Sequence, residues 1–98
     1  MANICDNTFY ATSADGNNIE YIINFLQEEF DYIDIYEDSD FIEAYFESKW
    51  VFPENIMKDM FEGIPNKNDI FMRCLSVEYG DLYHALWVCE DEEGWREV

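Results

Sequence analysis

The chain has 98 residues, 49% of them hydrophobic and 18% aromatic, with 23 Asp and Glu against five Lys and Arg for a formal net charge of -18. One domain spanning residues 1–98 fits that length, and a chain this size buries roughly 60–70% of its unfolded surface, enough for one modest core. The apolar content excludes a disordered acidic tail, and the scarcity of bases excludes direct binding to nucleic acid or to anionic membrane surfaces, both of which need a Lys/Arg footprint.

In chain order, residues 8–13 mix Thr, Tyr and Phe as a strand does. Ala14-Asp15-Gly16 signals a turn. Asn17 then suits a helix N-cap, with Glu20 in capping-box position. Ile19, Ile22, Ile23, Leu26 and Phe30 recur at helical spacing, which predicts a helix over residues 18–30.

Residues 32–36 alternate with period two, Glu37-Asp38-Ser39-Asp40 reads as a polar turn, and residues 41–48 alternate again. The pattern predicts a hairpin with one buried face, Ile42, Ala44 and Phe46, and one solvated face, Glu43, Tyr45 and Glu47. Pro53 suits the first position of a second helix, with Ile56, Met57, Met60 and Phe61 as its stripe and Gly63 as its stop. Residues 70–78 and 82–89 read as a second hairpin turning at Gly80-Asp81. An acidic tail, residues 90–93, follows, with Trp95 available to pack back. The order β-α-β-β-α-β-β predicts an α+β fold: a ferredoxin-like antiparallel sheet with two helices on one face and an added edge strand.

Three stretches carry a family resemblance. The opening MANICDNTFYATS, with Met1, Ala2, Asn3, Cys5, Asn7 and Thr8, resembles that of the YubB-type ferredoxin-like proteins of bacteria, plasmids and phages. FESKWVFPENIMKDMF is similar to that family's strand–Trp–Pro–helix junction through Phe46, Glu47, Trp50 and Pro53, and YHALWVCEDEEGW is similar to its closing hairpin. The resemblance implies the fold and a mobile-element setting, and no activity or catalytic residue.

The residues themselves give little sign of catalysis. His84 is the single histidine, set in an apolar strand, and nothing in the spacing of Cys5, Cys74 and Cys89 brings a nucleophile to it. A non-enzymatic protein is expected. Three cysteines without C-x-x-C spacing give neither a disulfide framework nor a zinc pattern. The clusters at 37–40 and 90–93 lack the order of a calcium loop, so neither metal nor cofactor is expected. No apolar run reaches ~18 residues, and MANICDNTF lacks the charged and apolar parts of a secretory leader; a cytoplasmic location in a bacterial host is expected.

The charge is the strongest functional signal. Nine acids and no base stand between Glu28 and Glu47. In a hairpin, period two places Tyr32, Asp34 and Tyr36 opposite Ile33 and Ile35, alongside Glu43, Tyr45 and Glu47. Alternate strand residues lie about 6.6 Å apart, roughly twice the ~3.4 Å phosphate rise of one DNA strand. The expectation is a nucleic-acid mimic whose partner is a basic protein, a nucleic-acid-binding protein or nuclease. Asp34, Asp38, Asp40, Glu43 and Glu47 would be phosphate surrogates, and Tyr32, Tyr36 and Tyr45 anchors. Combined with the mobile-element setting, this describes a phage-type counter-defence inhibitor such as an anti-CRISPR. The alternative is a small accessory domain of unassigned role, acidic for solubility, with a homodimer through a sheet edge open to it.

Overall fold

The computed structural model describes residues 4–80 and 82–98. The chain runs β1 (Ile4–Thr12), α1 (Gly16–Glu29), β2 (Ile33–Glu37), β3 (Phe41–Lys49), α2 (Glu54–Glu62), β4 (Phe71–Glu78), β5 (Tyr83–Glu90), a short 3-10 turn (Asp91–Glu93) and β6 (Trp95–Glu97). The strands form one six-stranded sheet in the order β2-β3-β1-β4-β5-β6, antiparallel throughout. Each helix therefore links two strands separated by one antiparallel neighbour: α1 spans β3, and α2 spans β1. This is an α+β fold, as expected.

Period-two alternation fixes the two faces of the sheet. One side of β1 carries Cys5, Asn7, Phe9 and Ala11, all buried. Register places Phe9 between Ala44 and Cys74, and Ala11 between Ile42 and Met72. Ile22 and Leu26 of α1, and Met57 and Met60 of α2, complete the same apolar cluster. Both helices thus cover one face. A helix stripe and a strand face that are each apolar on one side bury best against one another.

The ends of the elements differ from the sequence reading for local reasons. β1 begins four residues before the expected start. Asn7, a residue that reads as turn-forming, is buried there because Ser76 Oγ donates to its Oδ1 at 2.6 Å and its Nδ2 donates to Ser48 Oγ at 2.9 Å. The cap of α1 is Asp15, not Asn17: the Asn17 N–H donates to Asp15 Oδ1 at 2.9 Å. Asn18 takes the third helical position, so Glu20 is outside any capping box. At the other end, Phe30 turns extended and packs its ring 4.2 Å from that of Phe46.

Pro53 stands one residue earlier than expected, as the N-cap of α2, with its carbonyl accepting from Met57. Gly63 ends α2 as expected, but in right-handed backbone (φ −91°) rather than the left-handed region. Its need for glycine is steric. A Cβ there would run into the hydroxyl end of the Tyr21 side chain, which would have to move aside. Lys67 Nζ donates to the carbonyls of Glu62 and Ile64, placing a cation at the helix C-terminus.

The expected acidic tail is instead a chain reversal. Glu90 ends β5 and Asp91–Glu93 forms the 3-10 turn. Gly94 then adopts φ +78°, a conformation that favours glycine. β6 follows and pairs with β5. Trp95 anchors the reversal: its Nε1 donates to Met57 O at 2.9 Å, and its ring meets Phe52 and Phe9. Asp81 of the predicted Gly80-Asp81 turn, and Met1, Ala2 and Asn3 of the opening motif, lie outside the described residues.

Candidate functional site: the uncovered sheet face

The helices leave the opposite sheet face open. β1 contributes Asp6, Thr8 and Tyr10 to it; β3 contributes Glu43, Tyr45 and Glu47; β2 contributes Asp34 and Tyr36. Across the β2–β3 hairpin Asp34 faces Tyr45 and Tyr36 faces Glu43. Acid and tyrosine therefore alternate both along and across the strands. Tyr36 and Tyr45 meet edge to face at 6.1 Å, and Tyr45 Oη donates to Glu43 Oε2 at 3.0 Å. That bond to a carboxylate holds the Tyr45 phenol above its ordinary pKa.

Six of the eight residues singled out in the sequence, Tyr32, Asp34, Tyr36, Glu43, Tyr45 and Glu47, come together on this surface. Tyr32 precedes β2 and is 90% exposed at its end. Asp38 and Asp40 are set apart, in the turn at the other end of the hairpin. There Asp38 Oδ1 accepts from Ser39 N, and the Asp40 carbonyl accepts from Ser13 N and Thr12 Oγ1. The alternation Glu43-Tyr45-Glu47 also widens the carboxylate spacing along β3 to about 13 Å, twice the step expected from strand period alone.

Other residues join the surface that sequence reasoning did not single out. Asp6 is the register partner of Glu47. Asp31, Asp6, Asp34 and Glu47, with Tyr32, Tyr45 and Tyr79, line an open depression of about 820 Å³. Only sheet order reveals this grouping, because Asp6 and Tyr79 reach it from opposite ends of the chain. Towards β5 the face changes character. Leu75 and Leu86 are register partners, 44% and 36% exposed, flanked by half-buried Val77 and Val88. Arg73 lies 5.0 Å over the Tyr10 ring, and Arg96 pairs with Glu90 at 3.1 Å.

No protein-family model matches the chain, and no curated protein or solved structure is significantly similar to it.

The histidine and the three cysteines stand apart. His84 is exposed on the open face, in register with Val77. Cys5, Cys74 and Cys89 are buried on the helix-covered side, so the sheet lies between them and the imidazole. Burial pushes the Cys74 and Cys89 thiols up to about 12, and raises Cys5 as well. Thiols held in that state are poor nucleophiles at neutral pH. Among the described residues no group of three or more His, Cys, Asp or Glu is arranged to hold a metal, and no helix is long and apolar enough to cross a membrane.

Proposed function

We propose that this protein is a non-enzymatic acidic binder whose uncovered sheet face engages the basic surface of a nucleic-acid-binding protein and competes with nucleic acid for it. The observation that carries the reading is the alternation of Asp34, Tyr36, Glu43, Tyr45 and Glu47 on one unburied surface of a chain with net charge -18. Carboxylates on such a surface steer a cationic partner and speed encounter. Tyrosines supply rigid contact area at little entropic cost. The strand order with its two split β-α-β units supports a ferredoxin-like core, β1 to β4, extended by β5 and β6. The resemblance to YubB-type proteins adds a mobile-element setting, a bacterial cytoplasm and a counter-defence role of the anti-CRISPR kind.

The test is capture from a bacterial lysate at low salt, followed by salt-step elution. The reading expects one basic nucleic-acid-binding protein, displaced by competing DNA or RNA. Glu43→Lys with Glu47→Lys should weaken capture, and His84→Ala should leave it unchanged. A broad set of basic proteins released together at modest salt would refute it.

Exposed Leu75 and Leu86 favour a second reading, an accessory domain that self-associates through its open face. Sedimentation equilibrium decides between them: a dimer abolished by Leu86→Ser and indifferent to Glu43→Lys supports the second.

A further inference from the structure

Resting on the acidic-face reading, we infer that the element this face receives is a basic amphipathic α-helix. Its apolar stripe would lie along β4 and β5, and its Lys and Arg side chains would enter the acid–tyrosine depression.

The geometry of the face selects that occupant. Val77, Leu75, Leu86 and Val88 form a continuous aliphatic stripe. Leu75 and Leu86 pair directly, while Val77 and Val88 stand at opposite ends, four residues apart in register. The stripe thus runs diagonally over about 13 Å and is two strands wide at the Leu75–Leu86 pair, with His84 beside Val77 and Arg73 beside Val88 at its ends. Helix positions i, i+4 and i+7 span about 10.5 Å, a matching footprint. Through β1, the register sets Val77 beside Asp6 and then Glu47, and sets Leu75 beside Thr8, Tyr45 and then Asp34. The β3 column therefore lies about 10 Å to one side of β4. A helix about 10–12 Å across, resting on the stripe, holds its flank above β1 with Lys and Arg side chains within reach of that column.

The depression suits the ends of those side chains. Asp6, Asp34 and Glu47 provide carboxylates, and the Tyr32, Tyr45 and Tyr79 rings provide faces for a cation. Arg73, held over Tyr10, stands between the stripe and Glu43, so the cationic flank is directed to the Asp6 and Glu47 end of the face. An extended segment gains nothing here, since strands add at sheet edges, where backbone groups are free. A helix satisfies its own backbone and can rest on a face. A second copy of this chain would bring a further net charge of -18 towards the same carboxylates. A polyanion is repelled outright.

The probe is a synthetic 18-residue peptide of Leu, Lys and Arg, written with an apolar stripe at helical spacing. The comparison is a scramble of identical composition without the stripe. Titration by fluorescence anisotropy in ~0.1 M salt should give affinity about tenfold or more higher for the striped peptide. Leu75→Ser with Leu86→Ser should remove that advantage. Asp34→Lys with Glu47→Lys should weaken both peptides. Equal affinity for the two peptides, or an advantage that survives the double serine variant, overturns the inference.

Should the double variant not fold, amide chemical-shift changes in the wild-type protein serve instead. Shifts along β4 and β5 support the helix, and shifts confined to β2 and β3 overturn it. Lysate capture separates the two levels. Capture that needs Glu43 and Glu47 but survives the serine variant removes the helix and keeps the acidic face. Loss of specific capture altogether removes the acidic-face reading itself. A dimer in sedimentation that excludes the peptide also overturns the inference.

Discussion

Asn18 is fully buried at the third position of α1 and ties that helix to the loop entering β4. Its Nδ2 donates to Asn66 O at 2.8 Å, Asp69 O at 3.0 Å and Ser13 Oγ at 3.2 Å, and its Oδ1 accepts from Asn66 N at 2.9 Å. Asn18→Ala removes all four bonds. The Asp69 carbonyl keeps the Ser13 hydroxyl and the Asn66 carbonyl keeps the Asp69 N–H, so the group stripped of its bond is the Asn66 N–H. A polar group left unpaired away from water costs about 1–3 kcal/mol. Total stabilities are about 5–15 kcal/mol, and in a domain of this size each kcal/mol moves Tm by about 4–8 °C. A fall of about 4 °C or more is expected in a melt followed by circular dichroism, with a lower urea midpoint at unchanged m value. Asn17→Ala is the control. That residue is exposed and only its backbone N–H is used, so a change within about 0.5 kcal/mol is expected. A fall under about 4 °C for Asn18→Ala, or a larger one for Asn17→Ala, would refute the account of this corner.

Stability should rise with salt, because a net charge of -18 repels itself and only Lys58–Glu54 and Arg96–Glu90 form ion pairs among the described residues; a Tm that stays flat from ~0.02 to ~0.5 M NaCl contradicts this. The Cys74 and Cys89 thiols, pushed up to about 12 from an ordinary 9.0, stabilise the fold fully below pH 9 and lose that contribution as pH climbs towards 12, since the unfolded chain releases the protons first. Tm measured from pH 8 to 11 should fall above 9, and less steeply in Cys74→Ala than in the wild type. Gly63→Ala should destabilise by about 1–3 kcal/mol, because the new methyl meets Tyr21 Oη; adding Tyr21→Leu should recover most of that loss, as a double-mutant cycle in urea would reveal.

The two helices and the two hairpins were legible because their apolar positions follow one period without interruption. Ile19, Ile22 and Leu26 read as a helix, and Ile42, Ala44 and Phe46 as a strand face, and each does what its spacing demands. The misplacements arise where a polar residue serves a distant partner. Asn7 looks like a turn residue until Ser48 and Ser76 come to it from other strands. Asp15 outcompetes Asn17 as a cap while Asn18 is drawn into the loop before β4. β6 was hidden because three acids precede it, and only Gly94 with its positive φ and the docking of Trp95 reveal the reversal. The candidate site was legible within one hairpin, where alternation suffices to place Asp34, Tyr36, Glu43, Tyr45 and Glu47. Its extension to Asp6, Tyr79, Leu75 and Leu86 depends on register between strands, which local pattern does not encode.

The distribution of charge over the two faces bears on what the acidity is for. A chain made acidic for solubility alone gains most by spreading carboxylates evenly and by keeping exposed leucines apart from one another. Here the open face does the reverse. Asp6, Asp34 and Glu47 gather around one depression, while Leu75 and Leu86 stand side by side, exposed, two and three strands from Glu47 and its column. The two arginines of that face are engaged, Arg73 with the Tyr10 ring and Arg96 with Glu90. The arginines therefore do little to soften the field around the depression, and the remaining base of that face is Lys49, two residues beyond Glu47 at the end of β3. Segregation of this kind repels self from self at the acidic end and leaves the aliphatic end available, which selects partners that are cationic and apolar at once. A partner that is merely basic would satisfy half of the face, and its complex would dissolve with modest salt. A partner that also fills the aliphatic stripe would hold a salt-resistant remainder. The dependence of dissociation on ionic strength, read before and after Leu86→Ser, therefore reports how much of the face is in use.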